Sequence, residues 1–225
     1  MEHYYNIDCM EGLKMLLDAS IDLVVTDPPY RGISGGNKKH EHSPSGILTK
    51  NDGKVFKYNT IKVTEWLPEV YRVLKEDGEC YIMINALNME EYLRTCREVG
   101  FKLHNILVWE KNNVTPNRWY MKNGEFVLYL YKGHAKPINN CGSKQVHSFN
   151  NITGNKVHPT QKPVEMMKFY IENSSQHGDT VLDPFFGSGS VGKACKETGR
   201  NFIGFEIDEH YYEIATRESV DGNVE

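Results

Sequence analysis

Short apolar runs alternate with amphipathic segments along most of this 225-residue chain. Two runs of strand length, IDLVVTD (21–27) and GECYIMIN (78–85), flank a segment with helical spacing at 60–78. The further predicted helices are 88–100, 163–174, 189–199 and 209–219, and the further predicted strands are 101–111, 125–133, 179–185 and 201–208. Strands that alternate with helices predict an α/β fold with a doubly wound, mainly parallel sheet. At this length we expect one domain, spanning residues 1–225.

Two long basic stretches interrupt the alternation, at 31–59 and at 134–162. Loops of this length within a compact domain are usually functional or disordered. We expect both to lie at the rim of a cleft at the carboxyl ends of the strands.

The chain lacks the marks of membrane and disulfide-rich proteins. No apolar run approaches the roughly 20 residues that span a bilayer, and the acids in MEHYYNIDCM do not suit a signal peptide. The five cysteines are scattered, with no CxxC pair, which argues against a disulfide framework or a zinc site. We therefore expect a cytoplasmic protein that contacts no membrane and needs no metal.

Charge is unevenly distributed, although the net charge is only −4. Residues 102–168 hold ten Lys and Arg against three Asp and Glu, whereas residues 169–225 hold four against eleven. Electrostatic fields are screened within about 8 to 10 Å, so a polyanion can dock on the basic part without being repelled by the acidic one. A solvated basic face without a partner is the alternative.

A glycine pattern follows the predicted strand at 179–185. Gly187, Gly189 and Gly192 fit G-x-G-x-x-G ahead of a predicted helix, and Glu206 ends the next strand. Such glycines let the backbone approach a ligand, and an acid at about 20 residues' distance accepts hydrogen bonds from ribose hydroxyls. The pattern alone fits a nicotinamide dehydrogenase as well, and a glycine-rich helix start with an incidental acid is the structural alternative.

The predicted strand at 21–27 runs into TDPPY, which joins an acid, two prolines and an aromatic residue. Pro and Asp are common in turns, so an ordinary strand end is one interpretation. The rest of the chain favours a chemical one. DPPY at 27–30, HPTQKP at 158–163, and DPFFGSGS followed by FIGFEID at 183–208 together resemble the motif set of the DNA amino-methyltransferases, in the order of the beta class.

This resemblance covers residues 6–206 and implies a Rossmann-like methyltransferase fold with permuted motifs, S-adenosylmethionine as cofactor and double-stranded DNA as partner. The region between DPPY and the glycine pattern, where the family recognises its target, is short here. That implies either a brief target sequence or recognition shared within a homodimer.

The resemblance also implies site residues. Its catalytic residues are Asp27, Pro28, Pro29 and Tyr30. Its cofactor-binding residues are Asp8, Cys9, Asp27, Thr160, Lys162, Asp183, Phe185, Gly187, Gly189 and Glu206. It puts Thr160 and Lys162 near the cofactor's carboxylate, and an ordinary helix N-cap is the alternative for Asp8. The mix of basic and aromatic residues, rather than the resemblance, suggests the candidate DNA contacts, which are Lys38, Lys39, Arg118, Trp119, Tyr120 and Lys122. A place in the core is the alternative for the two aromatic residues.

DPPY has a chemical rationale in such an enzyme. The exocyclic amine of adenine is a poor nucleophile, because its lone pair is delocalised into the ring. Hydrogen bonds from that amine to the Asp27 carboxylate and the Pro28 carbonyl would localise the pair and stabilise the developing positive charge. The Tyr30 ring would stack on the base after it leaves the duplex.

The acid in DPPY favours N6 of adenine as the methylated atom, and N4 of cytosine is the near alternative. An RNA methyltransferase, an NAD-dependent oxidoreductase and a non-catalytic DNA-binding subunit are more distant alternatives.

Overall fold

The protein is represented by a computed structural model that describes residues 1–30, 58, 60–115, 120–152 and 161–221. The strands are β1 (Glu2–Tyr5), β2 (Ile21–Thr26), β3 (Leu74–Ile84), β4 (Lys102–Thr115), β5 (Lys122–Tyr131), β6 (Val146–Phe149), β7 (Thr180–Asp183) and β8 (Asn201–Phe205). The helices are α1 (Cys9–Met15), α2 (Val63–Val73), α3 (Met89–Val99), α4 (Val164–Ser174), α5 (Ser190–Thr198) and α6 (Glu209–Asp221). None of these helices is long and apolar enough to cross a membrane.

These strands form one sheet in the order β1-β8-β7-β2-β3-β5-β4-β6. Five of the seven pairings between them are parallel, and only the pairings of β5 with β3 and β4 are antiparallel. The structure therefore confirms the predicted α/β fold with a doubly wound, mainly parallel sheet.

Each face of the sheet carries its own hydrophobic core. Helices α1, α2 and α3 cover one face, where Val24 is buried, and α4, α5 and α6 cover the other, where Leu23 and Val25 are buried. Side chains of a strand point alternately to the two faces, so a strand covered on both sides must be apolar at every position. This explains the unbroken apolar run in the middle of β2.

The neighbouring strands β2 and β7 form the switch point of the sheet. The chain leaves β2 through α2 to reach β3 on one side, and it leaves β7 through α5 to reach β8 on the other. Connections that diverge in this way open a crevice at the carboxyl ends of the two strands. The DPPY turn follows β2 and the glycine pattern follows β7, so the topology brings both to this crevice.

The predicted helix at 60–78 is wrong at its C-terminal end. Helix α2 ends at Val73, and β3 begins at once with Leu74, whose extended backbone pairs with Ile21. The side chain of Leu74 is fully buried in the core beside α2. An apolar residue at position 74 fits both the helical spacing and a buried strand. Pairing with β2 decides that this residue belongs to the strand.

The stretch 134–162 does not lie wholly at the carboxyl ends of the strands. It contains β6, which pairs with β4. The backbone amide of Asn139 donates a 2.8 Å hydrogen bond to the backbone carbonyl of Asn173, near the end of α4. Just beyond α4, Ser175 accepts hydrogen bonds from Arg200, which precedes β8. This end of α4 therefore lies at the amino ends of the strands, and the expectation for 134–162 is wrong for the part around Asn139. Residues 153–160 and nearly all of 31–59 lie outside the described residues.

Candidate active site

A cavity of about 260 Å³ occupies the crevice at the ends of β2 and β7. The predicted residues in its wall are Asp8, Cys9, Asp27, Pro28, Pro29, Tyr30, Lys162, Asp183, Phe185, Gly187 and Glu206. The DPPY turn and most of the predicted cofactor residues thus share one cavity, although the glycine pattern follows the turn by more than 150 positions in the sequence.

The three glycines of the pattern have different physical roles. Gly187 has a φ of +53°, and a Cβ there would meet nothing within 4 Å, so its backbone borders open space in the cavity. Gly189 has a φ of +84°, and a Cβ there would lie 2.9 Å from Cβ of Ala215 in α6. Gly189 is not part of the cavity wall. A Cβ on Gly192 would lie 2.2 Å from the Tyr4 hydroxyl, so Gly192 also packs closely. Gly187 therefore serves the cavity, and the other two allow close packing.

Glu206 holds the glycine loop in place. Its Oε2 accepts a 3.0 Å hydrogen bond from the Gly187 amide, and its Oε1 accepts one of 2.8 Å from the Asp208 amide. Burial raises the pKa of Glu206, and these two amides act against that effect. Each oxygen keeps a further acceptor site, which suits a ligand with two adjacent hydroxyls.

Asp183 ends β7 below the glycine loop and is buried. Its Oδ1 accepts hydrogen bonds from the Thr26 hydroxyl at 2.7 Å and from the Phe185 amide at 3.1 Å. Burial is the main cause that raises the pKa of Asp183 to about 7, and the nearby Asp27 and Glu206 add to it. Asp183 therefore ties the end of β2 to the start of the loop.

Both carboxylate oxygens of Asp27 are engaged. The Tyr30 hydroxyl donates a 2.7 Å hydrogen bond to Oδ1, and the Lys162 ammonium lies 2.8 Å from Oδ2. Burial, followed by the charge of Asp27, raises the pKa of Tyr30, so this hydroxyl keeps its proton at neutral pH. The DPPY turn is thus a preorganised acceptor whose donors come from the turn itself and from HPTQKP.

Lys162 joins Asp27 to a second acid, Glu125, at 3.2 Å, and Glu125 in turn lies 2.9 Å from Nζ of Lys111. Burial alone would lower the pKa of Lys162, but Asp27 and Glu125 more than offset this and raise it. Sequence reasoning missed Glu125 and Lys111. No motif marks them, because their partners are contributed by distant parts of the chain.

Asp8 and Cys9 lie at the start of α1. The Asp8 carboxylate accepts a 2.8 Å hydrogen bond from the Met10 amide, so the helix N-cap anticipated as the alternative is present, while Asp8 also borders the cavity. Burial and the charge of Asp8 raise the pKa of Cys9 to about 12, so its thiol is protonated at neutral pH. Cys9 is therefore not an activated nucleophile.

Other predicted residues lie elsewhere. Tyr120 is 94% exposed, and Lys122 begins β5. The further candidates Lys38, Lys39, Arg118, Trp119 and Thr160 lie outside the described residues. The cavity wall also contains apolar side chains that the motifs did not indicate, among them Met83, Met167 and Ile207.

A family model for DNA methylases of the N6 and N4 types matches residues 21–217. The chain belongs to this family. The predicted resemblance is thereby confirmed, as is S-adenosylmethionine as the cofactor that the family uses.

Individual members of the family align over nearly the whole chain. It is 30% identical to the Type II methyltransferase M2.MboI of Moraxella bovis, over 95% of this chain and 85% of that protein. It is also 30% identical to the Type II methyltransferase M.HinfI of Haemophilus influenzae, over 93% of this chain and 66% of that protein. Among solved structures, the M1.HpyAVI complex with S-adenosylmethionine is 27% identical, with a TM-score of 0.72 and coverage of 97% of this chain and 100% of that one.

Proposed function

We propose that this DNA methylase transfers a methyl group from S-adenosylmethionine to N6 of adenine in duplex DNA. One observation carries the proposal: Asp27 lines the same cavity as Gly187 and Glu206. A group that accepts amino protons and a site suited to a nucleoside are thus adjacent.

The residues of the cavity fit the cofactor. Gly187 leaves open space beside its backbone, and Glu206 keeps acceptor sites for two ribose hydroxyls. Phe185 borders the cavity and is held edge-on by the Trp66 ring, with centroids 5.2 Å apart. S-adenosylmethionine, when bound, supplies a methyl group on a positively charged sulfur. We assign Gly187 and Glu206 to the ribose, and Asp8 and Cys9 to the adenine side of the cofactor.

The DPPY turn would prepare the target amine. Asp27 can accept one amino proton with an acceptor site that Tyr30 and Lys162 leave available, and the Pro28 carbonyl can accept the other. Both prolines border the cavity, and neither has an amide proton that would compete for these acceptors. The donors around Asp27 are already in place, so they need little rearrangement as charge develops on the amine. Such preorganisation lowers the activation barrier of methyl transfer.

The acid at position 27 favours adenine on the family resemblance, because the cytosine-N4 branch more often has serine at this position of the motif. Cytosine carries a similar exocyclic amine, and the family includes N4 methylases. The identity of the methylated nucleoside decides between the two.

The decisive experiment uses labelled S-adenosylmethionine and unmethylated genomic DNA, followed by digestion to nucleosides and mass spectrometry. We expect labelled N6-methyladenine from the wild type and a loss of at least about 100-fold in Asp27→Ala. Asp18→Ala is the matched control, because Asp18 is an exposed acid outside the cavity that pairs with Arg72. Labelled N4-methylcytosine would keep the mechanism and correct the base, whereas an Asp27→Ala variant as active as Asp18→Ala would contradict the role of the turn.

Two further expectations follow from this function. An enzyme that modifies cellular DNA works in the cytoplasm of a bacterium, so we propose that location. The short recognition region favours a homodimer on DNA, and light scattering with and without a DNA duplex tests for one.

A further inference from the structure

Lys162 lies between two carboxylates at the wall of the cavity. Its ammonium is 2.8 Å from Oδ2 of Asp27 and 3.2 Å from Oε2 of Glu125. On the far side of Glu125, Oε1 is 2.9 Å from Nζ of Lys111. These four side chains form a row of alternating charges, here called the charge row, whose charges sum to zero.

The inner pair of the charge row bears on the chemistry of Asp27. An ammonium has three donors and no directional preference between two carboxylate oxygens. With Asp27 as its only anionic partner, Lys162 would be drawn across both oxygens and would occupy acceptor sites that the target amine needs. Its side chain is only 10% exposed, so solvent screens this attraction weakly.

Glu125 supplies an opposing attraction. It lies near the start of β5, which runs antiparallel to β3, and its neighbour Phe126 pairs with Ile84 at the last position of β3. That arrangement carries the Glu125 carboxylate to the carboxyl ends of the parallel strands, beside the DPPY turn. Burial would raise the pKa of Glu125, but Lys162 and Lys111 lower it to about 2, so it is ionised at neutral pH.

We propose that Glu125 is a positioning residue for methyl transfer: it holds the Lys162 ammonium to one side and so keeps Asp27 oriented to accept the amino proton of the target base. Glu125 is not part of the cavity wall, so it acts through Lys162. Lys111 balances the charge of Glu125 and fixes its other oxygen. The inference rests on the function proposed for Asp27.

The test compares Glu125→Gln with the wild type in single-turnover methyl transfer, together with the Kd for S-adenosylmethionine. Glutamine keeps the size of the side chain and removes its charge. We expect the transfer rate to fall about 10- to 100-fold, as for a small misplacement of a reacting group, while the Kd changes less than about twofold. The matched control is Glu69→Gln, which removes a similarly exposed carboxylate from an ion pair with Arg72 on α2.

A double-mutant cycle shows whether Glu125 acts through Lys162. We expect Glu125→Gln combined with Lys162→Met to be no slower than Lys162→Met alone. If the rate losses of the two single variants multiply in the double variant, the inference is overturned. A Glu125→Gln variant that transfers methyl as fast as Glu69→Gln would also overturn it.

If circular dichroism shows that Glu125→Gln does not fold, Lys111→Gln takes its place. Without Lys111, Glu125 should draw Lys162 away from Asp27, whose Oδ2 then lacks the donor that orients the carboxylate. The rate should therefore again fall, and again only while Lys162 is present. An unchanged rate would refute the inference. A wild-type protein that transfers no methyl group at all would instead overturn the proposed function, and this inference with it.

Discussion

Substituting Glu206 with Gln should separate cofactor binding from the rest of the site. In the structure each oxygen of Glu206 accepts one backbone amide, from Gly187 at 3.0 Å and from Asp208 at 2.8 Å. Glutamine has nearly the same shape but only one oxygen. Its NH₂ group must therefore face one of the two backbone amides, and since both groups are donors, that hydrogen bond is lost. The carboxylate charge that would bind ribose hydroxyls is lost at the same time.

The size of the effect follows from these contacts. A hydrogen bond to a charged group contributes about 1.5 to 3 kcal/mol, and each 1.4 kcal/mol is a factor of ten in Kd. Replacing one charged contact to a ribose hydroxyl should therefore weaken S-adenosylmethionine binding by about 10- to 100-fold. The amide left facing a donor should also lower the free energy of unfolding of the free protein, by about 1 kcal/mol.

Isothermal titration calorimetry with S-adenosylmethionine measures the first effect, and urea unfolding without cofactor measures the second. Glu209→Gln is the matched control, because Glu209 is an exposed acid in the first turn of α6 with the same charge. A Glu206→Gln variant that binds the cofactor within twofold of Glu209→Gln would refute the assignment of Glu206 to the ribose.

Two further predictions concern stability. The pKa of Asp183 is raised by burial from 3.8 to about 7, so the folded state holds this proton more tightly than the unfolded state does. The resulting stabilisation is complete below pH 3.8 and is lost as pH rises to about 7, a change on the order of 4 kcal/mol. Urea unfolding should show the wild type losing stability relative to Asp183→Asn across this range, and a constant difference would contradict the prediction. Gly192→Ala should lower the free energy of unfolding by about 1 kcal/mol net, because overlap with the Tyr4 hydroxyl outweighs the gain in helix propensity. The control is Gly124→Ala, because the atom nearest to a new Cβ there is 3.5 Å away. Thermal unfolding compares the two variants, and equal stabilities of Gly192→Ala and Gly124→Ala would contradict the packing argument.

The DPPY turn and the start of the glycine loop line one cavity, and the reason is local. Asp27, Pro28 and Gly187 occupy turns that directly follow strands, and the carboxyl ends of parallel strands meet at one edge of a sheet. Once the strands are recognised, the approximate place of these residues is set. The prediction was weaker for Gly189, since a positive φ and close packing favour glycine just as a ligand does.

The charge row was not predictable from sequence patterns. Glu125 belongs to β5, which pairs antiparallel with both β3 and β4, and Lys111 belongs to β4. Their position beside Lys162 depends on the register of these two pairings. A shift of one residue would turn both side chains to the other face. Register is decided by packing across the whole sheet, which no single segment encodes.

The sequence by itself determined the alternating α/β architecture, the identity of the DPPY turn and the glycine loop, and through them the family. These features depend on side-chain periodicity and on turn chemistry, both of which act within a few residues. Only the tertiary structure decided that α2 yields to β3 at Leu74, that part of 134–162 lies at the opposite edge of the sheet, and that Lys162 is shared between Asp27 and Glu125. Each of these outcomes is a competition between partners far apart in the chain, and burial and charge settle it only when the fold brings them together.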